Sequence, residues 1–103
     1  MNAIADICVI PIGVGTSVSE YVTACEQILQ DAGLNPKLHA YGTNVEGPWD
    51  TVMAALKQCH ETLHQMGAPR ISTTMRLGTR VDRAESIADK IKSVEDKLGR
   101  TLK

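Results

Sequence analysis

A chain of 103 residues with 43% apolar side chains is long enough for one domain with its own core and too apolar to be disordered. Eleven basic residues against twelve acidic ones leave a net charge of −1. That balance excludes the electrostatic footprint of a nucleic-acid binder and of a protein held on an anionic membrane.

No apolar run approaches the ~20 residues that a spanning helix needs. The opening MNAIADICVIPIG carries Asp6 and no basic leader, so no secretory signal is expected there. The cysteines, Cys8, Cys25 and Cys59, are odd in number and lack CxxC spacing. They fit small core residues in a reducing, cytoplasmic setting. Phe is absent, which leaves the core to Ile, Val, Leu, Met and Ala.

Residues 3–12, AIADICVIPI, predict a strand that ends at Pro11 and the glycines at 13 and 15. SVSEYVTACEQILQDAG then predicts a helix, with Ser17 and Glu20 spaced as a capping box and Gly33 as its stop. KLHAY and TNVEG flank Gly42 as the two strands of a hairpin. Pro48 suits the first turn of a second helix. That helix carries Trp49, Val52, Met53, Leu56, Cys59, Leu63 and Met66 on one face and ends at Gly67. Residues 69–80 alternate Ile71, Thr73, Met75 and Leu77 with Arg70, Ser72, Thr74 and Arg76, the pattern of a half-buried strand. Asp82 and Glu85 are expected to open a third helix with the stripe Ile87, Ile91, Val94 and Leu98.

The order βαββαβ plus a terminal helix predicts an α+β, ferredoxin-like domain spanning 1–103. Its four-stranded antiparallel sheet would carry the helices on one face, with strands 1 and 3 central. Period-2 alternation then places Ala5, Ile7 and Val9 under the helices and Asp6, Cys8 and Ile10 on the open face. A hairpin turn at Gly42-Thr43 would pair Tyr41 with Asn44, Ala40 with Val45 and His39 with Glu46. His39, Tyr41, Asn44 and Glu46 would then join Asp6 and Arg76 on the open face. Such a surface suits a solvated sheet, a polar subunit interface, or a ligand site where acid, base and aromatic groups converge.

The segments VIPIG, SVSEYV, LHAYGTNVEGPWDTVM and RISTTMRLGTRVD together resemble the small thiamine-binding (YkoF-like) protein family. The resemblance covers nearly the whole chain. It is most specific at GTxxEGxW, formed by Gly42, Thr43, Glu46, Gly47 and Trp49. It implies a ferredoxin-like fold, homodimers that often pair into tetramers through their sheets, and binding of thiamine or its hydroxymethylpyrimidine part without catalysis and without a further cofactor. Buffering or sensing the vitamin in the cytoplasm would follow. Together with the face sorting, it makes Asp6, His39, Tyr41, Thr43, Asn44, Glu46, Trp49 and Arg76 the candidate ligand residues. A carboxylate suits an aminopyrimidine nitrogen, and an aromatic face suits the thiazolium cation.

Two alternatives belong to other classes. One is a structural or regulatory homo-oligomer whose open face is consumed by subunit contact. The other is a metal-dependent hydrolase built on HETLH, residues 60–64, which matches the H-E-x-x-H zinc pattern. A third ligand is missing from that motif, because His39 belongs to a different element. GVGTS, residues 13–17, lacks the third glycine of a dinucleotide fingerprint and the Lys-Ser/Thr of a P-loop, and reads as a turn before a capped helix.

Overall fold

The computed structural model describes residues 1–102. The elements are β1 (Asn2–Ile12), α1 (Ser19–Asp31), β2 (Lys37–His39), β3 (Gly42–Pro48), α2 (Trp49–Gln65), β4 (Arg70–Thr79) and α3 (Ile87–Leu98). The sheet order is β2-β3-β1-β4, and all three pairings are antiparallel. This is the expected βαββαβ arrangement, with β1 and β3 central.

Strand parity is as the sequence predicts. Ala3, Ala5 and Ile7 of β1 and Thr43 and Val45 of β3 are buried beneath the helices. They meet Cys25 and Leu29 of α1 and Val52, Ala55, Cys59 and Leu63 of α2. Asp6, Cys8 and Ile10 emerge on the other face. Cys25 and Cys59 pack against each other between the helices. The Cys59 thiol, and then burial, pushes the Cys25 thiol up, so it stays protonated.

Three local expectations need correction. The hairpin does not turn at Gly42-Thr43. Its pairs are Lys37 with Asn44, Leu38 with Thr43 and His39 with Gly42, so the loop is Ala40-Tyr41. Gly42 lies inside β3 because a Cβ there would sit 2.6 Å from the Ile7 carbonyl oxygen. The glycine serves the close approach of two strands, not a turn. The turn moves by two residues, so the facing of His39 is unchanged.

The second correction concerns α1. Its N-cap is Val18, and no side chain caps it, so the Ser17/Glu20 box does not form. The third concerns α3, which begins at Ile87 rather than near Asp82. Its capping box is Ser86 with Asp89. Asp82 and Glu85 are instead engaged by Arg80 and Arg83 in the loop before the helix. The Arg80 guanidinium holds the Asp82 carboxyl down to about 2.

Candidate functional site

On the open face, the register aligns Asn44, Asp6 and Arg76 in one row across β3, β1 and β4. Glu46 lies in the next row, opposite Ile4. His39 reaches this group from the edge strand. Its Nε2 lies 2.6 Å from Asp6 Oδ1, although β3 runs between them. Gly42, opposite His39, offers no side chain to block the crossing. The Tyr41 backbone N–H donates to His39 Nδ1 at 3.2 Å, which leaves the ring proton on Nε2 to be donated to Asp6. This relay ties the Ala40-Tyr41 turn to the sheet.

Glu46 has a structural partner as well. Its Oε2 accepts a hydrogen bond from the Ile87 backbone N–H at 2.9 Å, so a carboxylate from the sheet holds the positive end of α3. A wide polar recess of about 1040 Å³ opens there, lined by Ile4, Glu46, Arg76, Arg83, Ser86 and Lys90 among others.

A second cavity lies at the opposite end of β1. β1 pairs with β4 as far as Ile12 but with β3 only as far as Ile7. The hairpin ends early, and a gap of about 310 Å³ remains between residues 8–11, α1 and the Ala40-Tyr41 turn. Val18, Val22, Cys25 and Leu38 give it apolar walls, and Glu26 supplies a carboxyl group. The Thr43 hydroxyl donates to Glu26 Oε2 at 3.2 Å. Burial pushes the Glu26 carboxyl up from the ordinary carboxylate value, and the Thr43 bond offsets only part of that.

The model of the family described as thiamine-binding protein matches residues 5–95. The chain belongs to the thiamine-binding protein family. A UPF0045 protein from Synechocystis is 58% identical over 95 residues, covering 92% of this chain and 78% of the relative. A UPF0045 protein from Eremothecium gossypii is 44% identical over 99 residues, covering 95% and 94%. Among solved structures, a hypothetical protein from Methanocaldococcus jannaschii superposes with a TM-score of 0.84 at 28% identity, covering 92% of this chain and 97% of that one. A Thermotoga maritima protein, assigned provisionally to thiamine biosynthesis or salvage, shares the fold at a TM-score of 0.77 and 18% identity, covering 91% and 99%.

In this member of the thiamine-binding protein family, the eight residues singled out in the sequence divide among three places. Asp6, Asn44, Glu46 and Arg76 share the open face. His39, Tyr41 and Thr43 line the gap beside α1, with His39 also reaching Asp6. Trp49 lines neither recess. It is half-buried in the first turn of α2, where its backbone N–H bonds the Met1 carbonyl at 2.9 Å. Glu26 was not foreseen. Its signal was a charged residue four after Val22 and three before Leu29, on the inward edge of an amphipathic helix.

The HETLH motif has protein partners. His60 Nε2 lies 2.6 Å from Thr73 Oγ1, and His64 Nδ1 donates to the Ala68 carbonyl oxygen at 2.8 Å. Among the described residues, no group of three or more His, Cys, Asp or Glu is placed to hold a metal ion. Nor is any helix long and apolar enough to cross a membrane.

Proposed function

We propose that the protein binds thiamine, or its hydroxymethylpyrimidine part, without transforming it, and so buffers or senses the vitamin in the cytoplasm. The observation that carries this reading is the family match over residues 5–95. The geometry supports it with a largely apolar cavity bordered by a few polar side chains, Glu26, Thr43, His39 and Tyr41, the usual make-up of a small-molecule site. Calorimetric titration of the native protein with thiamine and with hydroxymethylpyrimidine tests the reading. Saturable binding of at least one is expected, and no heat from either at millimolar concentration would contradict it.

Self-association is part of the same proposal. Ile10 and Ile12 on the open side of β1 are 46% and 40% exposed, and Ile91, Val94 and Leu98 of α3 are exposed as well. A chain of this size gains by covering such surface with a second copy of itself. The same observation favours the second reading, a homo-oligomer whose open face is wholly used in subunit contact. The two readings separate at the cavity beside α1, where Cys8 and Ile10 of the open face meet Val22, Cys25 and Glu26 of α1: ligand binding there favours the first, and its loss to subunit contact favours the second.

A further inference from the structure

We infer that Cys25 and Cys59 are a reversible dithiol–disulfide pair, a modification site that clamps α1 to α2 when a hydroperoxide reaches Cys25 through the cavity beside α1.

The two cysteines lie together although 34 positions separate them in the chain. Cys25 belongs to α1 and Cys59 to α2, and both are buried in the same core cluster. Cys59 Sγ lies 4.0 Å from the Cys25 carbonyl oxygen, and the two thiols hydrogen-bond to each other. Ala55, buried one turn before Cys59 on the same face of α2, adds little bulk there. Thiols already in contact are brought to bonding distance mainly by side-chain rotation, which a disulfide requires and a rigid helix pair allows. Reducing surroundings keep such a pair open at rest, and a bond formed there is transient.

The two sulfurs differ in access and in charge. Cys59 is fully buried, whereas Cys25 is 7% exposed and lines the cavity beside α1. A small oxidant in that cavity therefore meets Cys25. The hydrogen bond from Cys25 pulls the Cys59 thiol down from its ordinary value, while Cys59 and burial push Cys25 up. The pair thus loses one proton far more easily than two. Passage of the remaining proton along the S–H···S bond moves the negative charge to Cys25.

The chemistry balances with hydrogen peroxide as the oxidant. The Cys25 sulfur attacks one peroxide oxygen, an S–O bond forms, and the O–O bond breaks. The departing hydroxide takes a proton from solvent and leaves as water. The Cys59 sulfur then attacks the Cys25 sulfur. The S–S bond forms as the S–O bond breaks, and the hydroxyl leaves with the Cys59 proton as a second water. Both sulfurs are oxidised, and both peroxide oxygens are reduced. Cys8 borders the same cavity from β1 and is the competing partner for Cys25.

Peptide mapping of the intact native protein tests this. The reduced protein is treated with hydrogen peroxide, and the remaining thiols are then alkylated. Cleavage after Glu, Lys and Arg separates the three cysteines, because Glu20 falls between Cys8 and Cys25, and Lys37 between Cys25 and Cys59. The expected product joins the Cys25 and Cys59 peptides within one chain, with Cys8 outside the link, and dithiothreitol separates them. The oxidised protein should melt at least about 5 °C higher, because the bond constrains the unfolded chain. Cys8→Ser should leave both results unchanged, and Cys59→Ser should abolish them. The wild-type map stands even if Cys59→Ser fails to fold. A Cys8–Cys25 link, a link between chains, sulfinic acid at Cys25 without a link, thiols untouched by excess peroxide, or an oxidised form that melts lower would each overturn the inference.

Discussion

Gly42 and Glu26 show how single residues shape the site. A methyl group at position 42 would meet the Ile7 carbonyl oxygen at 2.6 Å, and backbone cannot yield as a flexible side chain does. Gly42→Ala should therefore cost about 1–3 kcal/mol in chemical denaturation and loosen the hairpin. A wild-type midpoint would contradict the close-approach account. Glu26 acts in the opposite sense, because its position is unfavourable to the charged form. Its folded pKa is raised, so the folded state binds more protons than the unfolded state above about pH 4.3. Its contribution to stability is full below that pH and is lost as pH rises through the folded value. Glu26→Gln should flatten this part of the stability–pH profile and leave the protein at least as stable at pH 7, as thermal unfolding across pH 4–8 would show.

At the scale of elements, the strands were more legible than the ends of helices and turns. Alternation over β1 and β4 fixes which side chains are covered, because a one-residue slip would reverse them all. Glycine at 42 was ambiguous, since turns and close strand approaches both require it. The start of α3 was misread because Asp82 and Glu85 resemble first-turn acids, whereas Arg80 and Arg83 bind them in the preceding loop. The gap beside α1 was not legible at all. It depends on β3 ending before β1 does, a difference in length that only the register reveals.

The same elements make α3 a test case. It is held by its Ser86/Asp89 box and by Glu46 at its first turn, but none of its residues is buried. Ser86→Ala should lower local helix stability by about 0.5–2 kcal/mol. Faster amide exchange in residues 87–92, with little change in the global melting temperature, is the expected result. A large drop in the melting temperature would show that α3 is coupled to the core.

The molecule as a whole is elongated. Its radius of gyration is 15.1 Å, against about 13 Å for a compact chain of this size, and its extents are 46 × 29 × 21 Å. The excess fits a terminal helix that stands off the two-layer body with Ile91, Val94 and Leu98 uncovered. Under the self-association proposal, a Val94→Glu, Leu98→Glu double variant should lower the mass measured by light scattering. A monomeric wild type at tens of micromolar, or an unchanged assembly in the variant, would count against it. α3 would then belong to assembly together with part of the open face, whose Cys8 and Ile10 also border the gap beside α1.

A crystal structure of the protein soaked with hydroxymethylpyrimidine addresses the central claim most directly. The account predicts density for one flat ring in the cavity bordered by residues 8–11, α1 and the Ala40-Tyr41 turn. A ring bound instead among Asp6, Asn44 and Arg76, or no ring at saturating ligand, would contradict it.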